Sequence, residues 1–446
     1  MLIKNGQVAL PGLDEPKIID VKIEGEKIAD IGENLSGDSD IIDASGMYVL
    51  PGGIDPHTHF DDPGYTQRED FYHGSCAAAS GGITTIIDMP CTSIPPVTDI
   101  ENLRKKLSAV ERKSVIDFGF FGGVSALSLQ QNFFENFKKL ANYVFGIKTY
   151  FISGMDTFPR LNHYQFKKVL EAAKILKIPV LLHAEDFDYV SSATQEMMKR
   201  GDSPRDYYLS RPEIAEILAV QNAVEIARLV GADLHIVHIT TGKAVEIVKS
   251  GSATCETAPH YLAFTLDDFE KIGSPLKVTP PVKTADNREK LWKLLAQGKI
   301  DFVASDHAPA PEEEKFSGSI WTDYSGIPGT ATLLPFLFSE GFLKKRISFK
   351  KLVQIVSENA AKRYGIFDRK GSIEIGKDAD LTIIDPKAHW TVEGEKLLSK
   401  GKITPFEGMT FSGKIVKTIV RGKVVYDSSA GIVADAGYGK FLSPSN

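Results

Sequence analysis

Eight apolar runs of strand length recur through the middle of the chain: Gly53–His59, Ile83–Met89, Asp117–Val124, Phe145–Phe151, Pro179–Glu185, Leu234–Thr240, Ala253–His260 and Ile300–Asp306. Runs that are apolar throughout, rather than alternating, are read as strands covered on both faces, as in a parallel sheet flanked by helices. Helical patterns lie between several of them. Phe166, Val169, Leu170, Ala173 and Leu176 fall on one helical face. Ile214, Ile217, Leu218, Val224 and Ala227 are read as another, with Pro212 at the first helical position. Eight strands alternating with helices predict a (β/α)8 barrel. A doubly wound sheet is the alternative, but the count of eight and the absence of GxGxxG favour the barrel.

The ends of the chain have a different texture. Met1–Ile3, Ile18–Ile23 and Lys27–Ile31 alternate apolar and polar residues between glycines, and so do Ala379–Asp385 and Ile415–Tyr426, the latter turning at Arg421-Gly422. The expected organisation is α/β: a (β/α)8 TIM-type barrel over 51–370, with a small β-sandwich built from both termini, 1–50 and 371–446. Hydrophobic residues at 42% of the 446 support a large core, and a net charge of −6 gives no reason to expect a nucleic-acid partner. No apolar run reaches the roughly 18 residues that span a bilayer, and no secretory pattern opens the sequence, so no membrane partner and a cytoplasmic location are expected. Cys76, Cys91 and Cys255 form no CxxC pair, which argues against a disulfide framework or a thiolate zinc site.

The chemistry is concentrated where the apolar runs finish. His57 and His59 are two apart and therefore share one strand face, as two metal ligands would. Alone, the pair is equally well read as two hydrogen-bonded histidines. Lys148 sits inside an apolar run. It is either a lysine whose stem is buried and whose head reaches water, or one held partly neutral, able to take up carbon dioxide as a carbamate that bridges two metals. His183 and His238 each close a run, His238 being preferred over His235 because it lies nearer the strand end. Asp306 closes the last run and is suited to act as ligand and general base; its plainer reading is a turn before Pro309. Two divalent metals, most simply zinc, account for the set: His57, His59, Lys148 and Asp306 around one, His183, His238 and Lys148 around the other. The expected reaction is hydrolysis by a hydroxide bridging the metals.

This arrangement resembles the amidohydrolase superfamily, and within it the cyclic amidohydrolases: dihydroorotase, allantoinase and dihydropyrimidinase. The resemblance spans Pro51–Phe60, the Lys148 strand, His183-Ala-Glu185, Ala258-Pro-His-Tyr261, Ser305-Asp-His-Ala-Pro309 and Gly376–Asp380. It implies two zinc-like metals, a carboxylated Lys148, Asp306 protonating the leaving nitrogen, a small cyclic amide substrate and a homo-oligomer, dimer or tetramer. Asp61 stands where a dihydroorotase carries the arginine that pairs with its substrate's carboxylate, and an acid there would repel that group. Met89-Pro-Cys-Thr-Ser-Ile-Pro-Pro96, Thr279 and Ala310 also depart from the dihydroorotase pattern, whereas Ala308 and Gly326–Thr330 keep to it. Asp88–Pro96, Phe120–Val124 and Leu266–Gly273 look more like allantoinase. An allantoinase-like enzyme is therefore expected, with dihydroorotase as the alternative and an inactive scaffold homologue as a second. Asp61, Thr92, Thr279 and His307 are candidate substrate contacts, with Arg68 and Tyr150 weaker ones. Cys91 is read as a small apolar filler more readily than as a functional thiol.

Overall fold

The computed structural model describes residues 1–37, 40–129 and 132–444. Strands Gly53–Thr58, Ile83–Asp88, Asp117–Phe120 (continued by Gly122–Gly123), Ile147–Tyr150, Val180–His183, Leu234–Ile236, Thr254–Thr257 and Phe302–Val303 pair in parallel, in chain order. Strand three is interrupted at Phe121, using its first part to pair with strand two and its second with strand four. The ring closes where the peptide N–H of His59 donates to the His307 carbonyl at 2.7 Å, beside a parallel bridge between Thr58 and His307. The fold is thus a TIM-type barrel. Its strands are shorter than the apolar runs: His59, His238 and Asp306 lie just beyond the ends of theirs, while His57, Lys148 and His183 lie within theirs.

Helices alternate with the strands, several of them started by a side-chain cap. Asp70 accepts from the His73 N–H ahead of Phe71–Ser80, and Asn162 with Gln165 forms a capping box ahead of His163–Leu176. The helix Glu213–Val230 corrects the sequence reading. Pro212 caps it from outside, and the buried face is Ala215, Ala219, Val220, Ala223, Val224 and Ala227, while Ile214 and Leu218 are 40% and 38% exposed. Apolar residues run almost all round this helix, so the large side chains did not mark the core face; the alanines, which allow close approach to neighbouring helices, did.

Both termini enter one nine-stranded mixed sheet folded over its own core of Ile3, Val21, Val49, Leu381, Ile383 and Ile419. Strand Tyr48–Pro51 knits the two ends together by pairing antiparallel with Leu381–Thr391. The expected hairpin turn at Arg421-Gly422 is present, with φ of 43° and 76°, the double left-handed geometry that matches strand twist. At the bottom of the barrel, Asp117 is bonded by Lys370 at 2.8 Å, by the Arg421 guanidinium and by the peptide N–H of Lys440 at 2.9 Å. Lys370 also bonds Asp380 and lies 3.3 Å from Asp378. Beyond it, Leu442 N–H donates to the Phe118 carbonyl, so the tail lies against strand three. Among the described residues, no helix is long and apolar enough to cross a membrane.

Candidate active site

Three connections at the C-terminal end of the barrel are enlarged. The one after strand five carries the helices Phe187–Arg200 and Pro204–Ser210, the one after strand seven carries Pro259–Ala263 and Leu266–Ile272, and strand eight is followed by Glu312–Lys315 and an irregular stretch. They wall a cavity of about 400 Å³, a size suited to a small molecule. Its floor holds His57, His59, Lys148, His183, His238 and Asp306. Catalytic groups at this end of the strands, with loops shaping the substrate space, follow the general logic of the fold.

The floor falls into two groups. One ligand atom each from His57, His59 and Asp306 lies within 4.8 Å of the others. Asp306 Oδ1 is 3.1 Å from His57 Nε2 and 3.4 Å from His59 Nε2, yet the buried His57 Nε2 has no hydrogen-bond partner among the described residues. In the second group, His183 Nδ1 faces His238 Nε2 at 3.0 Å. Two nitrogens about 2.0–2.1 Å from one tetrahedral ion would stand just over 3 Å apart. Lys148 Nζ is fully buried without a hydrogen-bond partner, and burial lowers its pKa to about 8, with Cys91, Asp306 and Glu256 opposing. Imidazole nitrogens, a carboxylate and an unpartnered amine converging in one pocket suit a borderline divalent metal pair.

The backbone is bent to present these groups. Asp306 and His238 adopt φ of 51° and 38°, and Asp61 φ of 57°, conformations that cost a non-glycine residue roughly 1–3 kcal/mol and cluster at functional sites. Burial alone would raise the Asp306 pKa; the surrounding histidines more than offset it and hold the carboxylate well below its ordinary range.

Buried acidic side chains orient the histidines. His57 Nδ1 is bonded to Glu256 Oε1, and Glu256 Oε2 is 3.2 Å from His235 Nε2. His183 Nε2 is bonded to Glu185 at 2.8 Å, which is held in turn by Arg211 at 2.7 Å. Such partners fix the tautomer and aim of a ligating ring. We expect Glu256→Gln to weaken zinc binding or activity about 10–100-fold, read by titrating the metal-free protein. Unchanged affinity and turnover would mean that Glu256 serves the barrel interior alone. Glu256 and Arg211 escaped the sequence reading, although Glu256, an ionisable residue in mid-run, carries the same signal as Lys148.

The remaining candidates divide. Thr92 and Thr279 line the cavity, Thr279 hydrogen-bonded to the Tyr207 hydroxyl. Arg68 and Tyr150 line it too. His235 is inside the barrel, against Thr254, Glu256 and Phe302. His307 does not reach the cavity: its Nδ1 accepts from the N–H groups of Gly329 and Thr330, leaving Nε2–H to donate to Glu69 at 3.1 Å. Asp306 and His307 are neighbours in sequence, but only Asp306 lines the cavity while the His307 ring is taken up by Gly329, Thr330 and Glu69, so adjacency in sequence misled. Asp61 is buried behind the cavity wall with both oxygens unpartnered among the described residues. Burial pushes it up to about 7, with His59 opposing, so it is partly neutral at pH 7 and repels a substrate carboxylate less than its position implied. Cys91 is buried, but it is more than filler: its Sγ is 2.9 Å from the Tyr150 hydroxyl, and the Tyr150 ring stacks on His183.

Comparisons with known proteins agree with this picture. The profile of the amidohydrolase family matches residues 48–425. The chain is 35% identical to an allantoinase of Rubrobacter xylanophilus, over 100% of this chain and 97% of that one. Among solved structures, an L-hydantoinase (dihydropyrimidinase) from Arthrobacter aurescens superposes with a TM-score of 0.94 at 30% identity, covering 99% of both chains. A dihydropyrimidinase from Brevibacillus agri gives 0.91 at 31%, covering 99% of this chain and 98% of that one.

Proposed function

The chain belongs to the amidohydrolase family, and we propose that it hydrolyses a ring amide in the manner of an allantoinase, with allantoin as the foremost substrate. The observation that carries this reading is full-length identity of 35% to allantoinases, joined to a small cavity whose floor is a set of potential metal ligands. Hydrolysis of a cyclic amide follows from the family; the particular ring is the proposal.

In this reading His57, His59 and Asp306 would hold one divalent ion and His183 and His238 the other, Lys148 as a carbamate would be a further ligand, and zinc is the metal proposed. When bound, such a pair acidifies water and polarises a carbonyl. Asp306, kept ionised by the histidines around it, takes the proton of the attacking water. As the ring C–N bond breaks, it gives that proton to the departing nitrogen. Asp306 is thus base and then acid in one cycle. Glu256, Glu185 and Arg211 keep the imidazoles aimed, and the enlarged connections limit water access to the bound ring.

The test is purified, metal-replete protein assayed side by side on allantoin, dihydroorotate, dihydrouracil and hydantoin. Turnover of allantoin above the others supports the proposal; turnover of dihydroorotate alone overturns it in favour of a dihydroorotase. A folded protein that binds no metal and turns over none of them is the scaffold outcome. The carbamate has its own test. Burial brings Lys148 down to about 8, which places the neutral, reactive amine within reach near neutral pH. Metal-free protein reloaded in carbon-dioxide-free buffer is expected to regain little activity until bicarbonate is added, and Lys148→Met to regain none. Full recovery without bicarbonate removes the carbamate from the site.

A homo-oligomer, dimer or tetramer, is part of the same proposal.

A further inference from the structure

The cations lining the cavity are not equivalent. Arg68 is paired with Glu314 at 2.6 Å and Arg211 with Glu185 at 2.7 Å. Lys148 belongs to the floor. Lys277, on the connection after strand seven, also lines the cavity, is only 3% exposed, and has no carboxylate within ion-pair distance among the described residues. Its Nζ donates to the backbone carbonyls of Asp323 and, at 3.5 Å, Trp321, and lies 4.9 Å from the centre of the Tyr207 ring. Asp323 itself is taken up by Ser274 and Ser317.

A purely structural lysine is available for comparison a short distance away. Lys315 is buried, and its ammonium spends all three donors on the carbonyls of Lys277, Tyr324 and Gly326. It pins the stretch after strand eight and does not line the cavity. Lys277 makes two bonds to the same stretch, one of them long at 3.5 Å, and unlike Lys315 it lines the cavity. A buried cation without a counter-charge is costly, and the cost is visible: burial lowers the Lys277 pKa to about 8, with Asp323 opposing. An acceptor group on a ligand would supply the missing partner.

We propose that Lys277 recognises the substituent on the substrate ring through an acceptor oxygen, a ureido carbonyl or a carboxylate, and so selects substituted over unsubstituted ring amides. This rests on the cyclic-amide reading above and names the part of the substrate that the metal site does not see.

The experiment compares the metal-replete wild type with Lys277→Met and Lys277→Gln on allantoin, dihydroorotate and hydantoin, with metal content measured for each. For the oxygen-bearing substrate that the wild type prefers, kcat/KM relative to that for hydantoin is expected to fall about 10–100-fold in Lys277→Met, as when a site loses its partner for a substrate polar group. Lys277→Gln retains an N–H donor but no charge. Partial recovery of the ratio is expected if the preferred substrate is allantoin, whose substituent is a neutral ureido group, and no recovery if it is dihydroorotate, whose substituent is a carboxylate. An equal loss on all three substrates, or none on any, overturns the proposal and leaves Lys277 as a second loop pin. If Lys277→Met does not fold, the ratio is read on Lys277→Gln, where an unchanged value is equally fatal. Wild-type protein idle on all three substrates refutes the cyclic-amide reading itself, a result seen before any variant is made.

Discussion

Asp306→Asn is expected to lower kcat by about 10²–10⁴-fold while the protein still folds and still binds metal. The side chain keeps its size and one oxygen, 3.1 Å from His57 and 3.4 Å from His59 in the parent geometry. It loses the capacity to take a proton and give it back. The measurement is kcat on the preferred ring amide with metal content determined on the same sample. Both are needed, because a carboxamide is a poorer ligand than a carboxylate and metal loss would imitate a lost base. A kcat within tenfold of the wild type at full metal content would strip Asp306 of its proton-carrying role. Burial and the histidines act on this carboxyl in opposite directions, and the histidines prevail. That direction favours the ionised form, the form the proposed base needs.

The second large effect is on stability. Lys370→Met is expected to cost about 3–5 kcal/mol, the loss typical of breaking a buried charge network by removing one partner. Lys370 and its partners Asp117, Asp378 and Asp380 are all at most 4% exposed, so solvent cannot replace the missing ammonium. The three aspartates lie close enough to hold a metal ion, but Lys370 and Arg421 already occupy the space between them. Thermal and urea unfolding of Lys370→Met and Asp117→Asn, alone and combined, test this. The double variant should be clearly less damaged than the sum of the two singles, because the partners share one network. An unchanged unfolding midpoint in Lys370→Met would show that the network carries no net stability.

The strands and the floor of the site were legible in the sequence for one reason. A strand covered on both faces has little tolerance for ionisable side chains, so His57, His59, Lys148, His183, His238 and Asp306 stand out against apolar runs. The structure brings all six to one cavity. Residues that act from connections gave no such contrast. Arg211 and Lys277 look in sequence like ordinary solvated cations, and only the folded wall shows that one is spent on Glu185 and the other has no counter-charge. His307 was misread for the opposite reason: it looked like a site residue because Asp306 precedes it, but its ring is held away from the cavity by Gly329, Thr330 and Glu69. The face of the helix Glu213–Val230 was obscured by apolar residues on almost every side, so periodicity had nothing to select.

The ion-pair knot at the barrel floor also sets an order of events during synthesis. Asp117 opens the third of eight strands, yet Arg421 lies 304 positions later in the chain and Lys440 323 positions later. Until those segments leave the ribosome, a growing barrel must either leave that strand entrance wet or bury a charge without its partners. The entrance to the third strand is therefore expected to gain its full set of partners only after the loops that shape the cavity have been made.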